Sequence, residues 1–466
     1  GNDGPRVKIV QNGLDVSDVS RVGPDHNVAS STASATQIEV LRGPATLQYG
    51  SGAIGGVVNI VDKRIPQYHV DGVEGEAEVS YSTVNEGKYT RGDVTGGSGN
   101  IVWHLDGYYR DTENADIPGY ASVDPDEDEE KGVLEDSQME TSNLVAGISY
   151  VADEGYFGFA VEQLDNEYGV PGHSHEHEEE HEDETEEEHE EHEEHEDEEG
   201  VSLDVDMTRY QAAGEWHSPM EGLTNIKFAG SYTDYEHTEI EDGEPATVFS
   251  NESSDIRVSL YHEEVQGWHG VFGMQFAHSD YAAEGEEAFT PANTSTNYAF
   301  YIVEQKKVGD LTFELGGRLE NTAYDAQDSD VELDIFHEDE EEHEEEDHDG
   351  EEHGTEFSFP EYDFTSLSLS AGVNWEYTDG QSVAVTLSRS ERAPSQQELF
   401  SAGQHLATES YEVGLVFDMD DEGHIEDELR DVNEEVSTNL DVTFRKFTGD
   451  WGYSVSFFYN QAEDYI

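Results

Sequence analysis

The 466-residue chain has no cysteine, which excludes a disulfide scaffold and a thiolate zinc site and leaves the compartment open. Bases are scarce: 21 Lys and Arg stand against 110 Asp and Glu, a formal net charge of −89. Nucleic acid is therefore excluded as a partner, because phosphate binding needs a basic face. No apolar run reaches the roughly 18 residues that a membrane-spanning helix requires. A β-barrel stays open, since each of its strands needs only about 9–11 residues of alternating character, which a hydropathy index averages out. No signal peptide is visible. Nor is there a Ser-His-Asp motif, an HExxH helix or a nucleotide loop, so no enzyme and no catalytic cofactor are expected. The acidic excess is read as salt adaptation of exposed loops, as a cation-collecting surface, or as both.

What is present begins with the run from Ile38 to Val61, IEVLRGPATLQYGSGAIGGVVNIV. Ile38, Val40 and Leu41 open a short strand, Arg42-Gly43-Pro44 break it, and the glycines of Tyr49-Gly50-Ser51-Gly52 supply a turn. Val57-Val58-Asn59-Ile60-Val61 then suits a buried strand. A glycine-rich turn between strands is also compatible with a phosphate cradle. That reading needs Gly-Lys-Ser/Thr, or a helix after the glycines; neither is present, so the compact β turn is favoured.

From about Val73 the chain shows repeated two-sided strands. In Ile101–Tyr109, Ile101, Trp103, Leu105 and Tyr109 share one face, suited to lipid, and Val102, His104, Asp106 and Tyr108 the other, suited to water. Roughly fifteen such segments recur, one of them ending near Tyr235. Very short turns, such as Ala152–Gly155, Val308–Asp310 and Thr378–Gly380, alternate with long loops such as Asn166–Leu203 and Ala323–Phe364. Outer-membrane barrels have this asymmetry, whereas a propeller or β-helix would show a fixed repeat.

Two loops concentrate the acids and carry histidines. The first, 172–200, holds His173, His175, His177, His181, His189, His192 and His195; the second, 337–353, holds His337, His343, His348 and His353. Imidazole and carboxylate together suit Zn²⁺, Ni²⁺ or Cu²⁺. The plain alternative for such a run is a solvated loop without a ligand. The His-x-His-x-His alternation at His173–His177 points beyond it, to a low-affinity, multi-site cation trap. A sharper candidate is Pro24-Asp25-His26, which sets a carboxylate and an imidazole on one turn, weighed against an Asx turn with an exposed histidine.

Glu39-Val40-Leu41-Arg42-Gly43-Pro44, Tyr49-Gly50-Ser51 and Gly55-Gly56-Val57-Val58-Asn59-Ile60 resemble the plug of TonB-dependent outer-membrane receptors. The resemblance implies a mainly β chain: a transmembrane antiparallel barrel, of about 22 strands in the family, with a small α+β plug inside. Residues 1–66 would be the C-terminal part of the plug and 67–466 the barrel. About fifteen strands do not close such a barrel, so several C-terminal strands, the N-terminal half of the plug and the segment meeting the energy-coupling protein are expected to be missing. The chain as given is expected not to transport. The implied partners are a divalent metal ion, the TonB-type complex of the periplasm and outer-membrane lipid of a Gram-negative cell.

Further pieces are similar to the zinc-receptor (ZnuD-like) branch: Pro24-Asp25-His26, Ile117-Pro118-Gly119-Tyr120, Tyr168–His175, Arg392–Phe400, Gly403–Thr408 and Tyr411–Gly414. That branch implies a metal site where plug and extracellular loops meet. Carried onto this sequence, it consists of Asp25, His26, His405 and Glu239, with His237 or Glu236 able to replace the last. Two His and two carboxylates make a four-coordinate Zn²⁺ set. The bland readings are a His405 packed on Phe400 and Tyr411, and a Glu239 that is an exposed acid. Arg392-Ala393-Pro394 is assigned to a structural corner. The expected function is capture and import of zinc or a similar ion. Alternatives are the same scaffold importing haem, a siderophore or another metal chelate, and a non-transporting acidic surface protein.

Overall fold

The computed structural model describes residues 6–20, 26–50, 52–123, 125, 129–171, 200–241, 243–285, 288–332, 354–405, 410–420 and 425–466. Strand β1 (Val7–Gln11) turns through Asn12-Gly13 into β2 (Leu14–Asp15). Both turn residues have positive φ, 53° and 83°, the pairing that a tight hairpin needs and Asn-Gly supplies at low cost. With β3 (Gln37–Leu41) and β4 (Gly56–Val61) they form a four-stranded sheet ordered β2-β1-β4-β3. Strand β4 is central, parallel to β1 and antiparallel to β3. It buries Val57 and Ile60, as its apolar, β-branched run predicts. Between β3 and β4, Gly43 (φ 73°) starts a 3-10 helix over Gly43–Gln48. The glycine-rich run therefore joins strand to strand, not strand to α-helix, and the phosphate cradle falls away.

A second, all-antiparallel sheet begins with β5 (Gly72–Tyr81), β6 (Lys88–Ser98) and β7 (Ile101–Thr112), followed by a small ribbon of β8 (Ala115–Asp116) and β9 (Val133–Leu134). It continues through β10 (Met139–Ala152), β11 (Gly155–Gly169), β12 (Ser202–Met220), β13 (Leu223–Glu241), β14 (Glu244–His262), β15 (Trp268–Gly285), β16 (Asn293–Val308) and β17 (Leu311–Ala326). After the ribbon β18 (Ser329–Glu332) and β19 (Gly354–Phe357) come β20 (Tyr362–Thr378) and β21 (Gln381–Arg392). A helix α1 (Gln396–Phe400) and two ribbons, β22 (Ala402–His405) with β23 (Ser410–Val413) and β24 (Phe417–Met419) with β25 (Ile425–Leu429), precede β26 (Glu435–Lys446) and β27 (Tyr453–Glu463). Fifteen strands make the wall, neighbours in space being neighbours in sequence once the ribbons are skipped.

The period of two sets its faces. Along β7, Val102, His104, Asp106 and Tyr108 are buried, whereas Ile101, Leu105 and Tyr109 are exposed, so the polar row faces inward and the apolar row outward. One end of the wall has minimal turns, Asp153-Glu154, Glu221-Gly222, Gly309-Asp310 and Asp379-Gly380; the other carries the links 113–138, 170–201, 327–361 and 393–434. An exception at the long-loop end is the two-residue link Asp242-Gly243 between β13 and β14. Those strands are 19 residues each, about 60 Å along the strand, or about 45 Å along the axis at a tilt of roughly 40°. An apolar band about 25 Å tall leaves their ends well beyond the membrane.

One core lies between the small sheet and the inner wall, and a second gathers Tyr324, Phe364, Phe400 and Phe417 at the long-loop end. Val16, Val19 and Ala29 pack against Leu203, Met207, Tyr235, Phe249 and Tyr281 of the wall. Buried polar ties flank this contact. Arg64 meets Glu162 at 2.5 and 3.2 Å, Arg209 donates to the carbonyl of Asp15 at 2.5 Å, and Asp255 accepts from the Asp15 amide at 3.1 Å. Removing one partner of a buried pair such as Arg64–Glu162 strands a charge and costs about 3–5 kcal/mol.

Candidate metal centre

Strand β13 leaves its outward apolar row at Tyr232 and runs on as Thr233-Asp234-Tyr235-Glu236-His237-Thr238-Glu239. Thr233, Tyr235, His237 and Glu239 are buried on the inner face, and Asp234 and Glu236 are exposed on the outer one. The sequence reading ends this strand near Tyr235. The ladder continues because β12 and β14 pair with it as far as Ile240, while the outward row changes from apolar residues to Asp234 and Glu236 and the inward row brings in ligand-type side chains.

From inside the wall the N-terminal region presents His26, 5% exposed, to His237 and Glu239, at 1% and 2%. His26 Nε2 lies 3.0 Å from Glu239 Oε1, and His237 Nε2 lies 4.0 Å from the same oxygen. One donor atom from each of the three falls within 4.8 Å of the others. Ligands about 2.0 Å from a tetrahedral Zn²⁺ stand about 3.3 Å apart, so small side-chain shifts bring all three onto one ion. The second carboxylate oxygen of Glu239 is buried and has no hydrogen-bond partner among the described residues. Such a group is costly unless a cation meets it.

Aromatic rings hold the imidazoles. His237 stacks on Phe249 with centroids 4.6 Å apart and planes at 22°, and His26 meets both rings edge-on. The Tyr235 hydroxyl is 3.2 Å from His237 Nδ1, which leaves Nε2 on the side of Glu239.

Of the expected ligands, His26 and Glu239 come together across 213 residues. Of the substitutes for Glu239 left open, His237 joins the cluster, whereas Glu236 faces out. Asp25 lies outside the described residues, as do His173, His175, His177, His181, His189, His192, His195, His337, His343, His348 and His353. For His405 the described part is the backbone, which pairs with Ser410 in the β22–β23 ribbon. That ribbon is fastened to the centre's surroundings: the Ala402 amide donates to the carbonyl of Phe289 at 2.8 Å, and Phe289 shares a buried cluster with Tyr235 and Phe249. Tyr235 and Phe249 were not singled out from sequence, although the alternation Tyr235, His237, Glu239 was there to extend.

The corner after β21 is ionic. Arg392 reaches Glu398 at 2.6 and 3.0 Å and Glu435 at 2.5 Å. Ser395 and Glu398 form a reciprocal capping box that starts α1. Burial pushes the Glu398 carboxyl up, but the Arg392 guanidinium and the Ser395 amide outweigh it and hold it below its ordinary value.

Comparison with known proteins follows the same division. Residues 188–466 match a family described as TonB dependent receptor-like, beta-barrel, and residues 1–57 match the TonB-dependent Receptor Plug Domain. The vitamin B12 transporter BtuB of Photobacterium profundum is 33% identical over 144 residues, 29% of this chain and 21% of that protein. Among solved structures, the copper transporter OprC superposes with a TM-score of 0.73 at 13% identity, over 99% of this chain and 64% of that one. The hemophore receptor HasR of Serratia marcescens superposes with a TM-score of 0.68 at 12% identity, over 99% and 66%. At such identities the structural likeness concerns the fold alone. The chain spans about two thirds of the length of these structures and, in its matched part, a fifth of the B12 transporter.

Proposed function

The chain belongs to the TonB-dependent receptors of the outer membrane, and from that premise we propose that it captures a divalent metal ion, zinc foremost, on His26, His237 and Glu239. The ion then passes inward beside the plug, residues 1–66, within the barrel, residues 67–466, driven by a TonB-type complex. One observation carries the reading: two imidazoles and a carboxylate, all buried, converge within 4.8 Å where plug meets wall. The donor set is nitrogen and oxygen without sulfur, which suits Zn²⁺, Ni²⁺ or Cu²⁺ and not Cu(I). Asp25, adjacent to His26 in sequence, and His405, on the ribbon fastened at Phe289, are proposed to complete the shell. The histidines of 172–200 and 337–353 act as low-affinity collectors.

A second reading, a metal chelate as cargo, is supported by the vitamin B12, copper and haem named for the relatives. Haem fits the centre poorly, because an axial histidine needs an apolar pocket and here two imidazoles share a carboxylate.

Cobalt(II) in place of zinc tests the ligand set, since its visible spectrum reports coordination number. The receptor is expected to give the intense bands of a four-coordinate nitrogen–oxygen site, lost in His237→Ala and in Glu239→Gln. The weak spectrum of octahedral cobalt in all three proteins would sink the proposal.

A further inference from the structure

The segment that follows His26 forms one side of a separate cavity of about 230 Å³, closed on the other side by the inner wall of β7, β10, β11 and β12. That is room for several waters. Its lining runs against the composition of the molecule. The chain has 110 acidic residues against 21 basic ones, yet among the described residues no carboxylate lines this space and one guanidinium, Arg110, does.

Arg110 lacks the ion pairs of three arginines between plug and wall, as do Arg209, which meets plug carbonyls instead, and Arg257, which covers the Tyr49 ring. Arg64, Arg318 and Arg392 each meet carboxylates. Arg110 has no ion pair among the described residues; its contacts are the Met139 sulfur at 3.7 Å and the Tyr89 ring at 5.8 Å. Further donors face the same space. Thr141 donates to the Asn166 carbonyl oxygen at 2.6 Å, which leaves the Asn166 NH₂ to donate elsewhere. The buried Ser30 hydroxyl has no hydrogen-bond partner among the described residues. A guanidinium, an amide NH₂ and a hydroxyl around a small polar space are the donor set for an oxyanion.

We propose that this cavity is an anion subsite, taking a small carboxylate or phosphate that travels with the metal. Its place fits that role, because Asn27 of its wall directly follows His26, and Leu164 and Val205 of its lining also pack in the cluster around Tyr235 and Phe249. The proposal rests on the metal reading, and it makes the cargo a metal with an oxyanion co-ligand.

The test uses the full receptor in detergent, first titrated with zinc in a non-coordinating buffer, then assayed for retention of labelled citrate or inorganic phosphate with and without zinc. Zinc-loaded receptor is expected to retain one of the two probes, and the zinc-free receptor much less. Arg110→Gln is expected to weaken retention about tenfold or more with zinc binding unchanged, and Arg110→Lys to restore part of it. Zinc bound normally with neither probe retained, or equal retention by Arg110→Gln, overturns the subsite. Absence of zinc binding in the first titration overturns the metal reading itself.

Discussion

His237 is held from two sides, by the flat face of Phe249 and by the hydroxyl of Tyr235 on Nδ1. The stacked ring fixes its plane and the hydroxyl fixes which nitrogen is turned toward Glu239, so the imidazole is presented with Nε2 on the side of the carboxylate. Groups that orient a ligating histidine in this way typically matter 10–100-fold for affinity. Tyr235→Phe is therefore expected to weaken zinc binding about tenfold with little loss of stability, since the ring still fills its place. Unchanged affinity in a competition assay would show that Phe249 alone orients the imidazole. His26 and Glu239 could not be paired from the sequence by any local signal, because 213 residues separate them. Their pairing is what the resemblance implies, whereas His237 is the alternative that the ladder's continuation past Tyr235 brings to the site.

At the scale of elements, hydrophobic alternation located the middles of the strands and missed their ends. Ile101, Leu105 and Tyr109 on one face of β7 and His104 and Asp106 on the other were legible, since lipid and lumen demand opposite chemistry. The outer end of β13 was not, because above the apolar band both faces are polar and the pattern disappears while the ladder persists. The corner at Arg392 was legible as structure, although its acidic partners were not. Its pH dependence has a definite sign. Glu398 is held below its ordinary carboxyl range, so its ion pair contributes stability at neutral pH that is lost as the pH falls through that depressed value. The hydrogen-exchange protection factors of 396–402 and 413–417, corrected for the intrinsic pH dependence of exchange, are expected to fall on acidification in the wild type and to be lower already at neutral pH in Glu398→Gln. Equal protection in both proteins at neutral pH would show that the corner does not depend on the pair.

At the scale of the whole molecule, the outer face of the wall carries directly opposed like charges. Asp165 stands opposite Asp206, Asp206 opposite Glu236, and Asp234 opposite Glu252, and directly opposed like charges destabilise a sheet by a few tenths of a kcal/mol each. Screening shortens from about 30 Å to about 3 Å between 0.01 and 1 M salt. The thermal midpoint in detergent is accordingly expected to rise with sodium chloride over that range, and to rise less in an Asp206→Asn/Glu236→Gln variant. A midpoint independent of salt would mean that the carboxylates are neutralised in another way. Barrel and plug were legible from the run Ile38–Val61 and from the alternation of short turns with long loops, whereas the cargo was not, because ligand choice depends on side chains from distant parts of the chain.

The most direct test of the central claim is a zinc competition titration of the full receptor in detergent, comparing wild type, a His26→Ala/Glu239→Gln variant and a deletion of residues 173–199. The account predicts that tight binding disappears in the double variant and survives the deletion, with only the weak, many-site phase lost. Tight binding that persists in the double variant and vanishes with the deletion would contradict it, leaving the acidic histidine loops as the place where the metal is held.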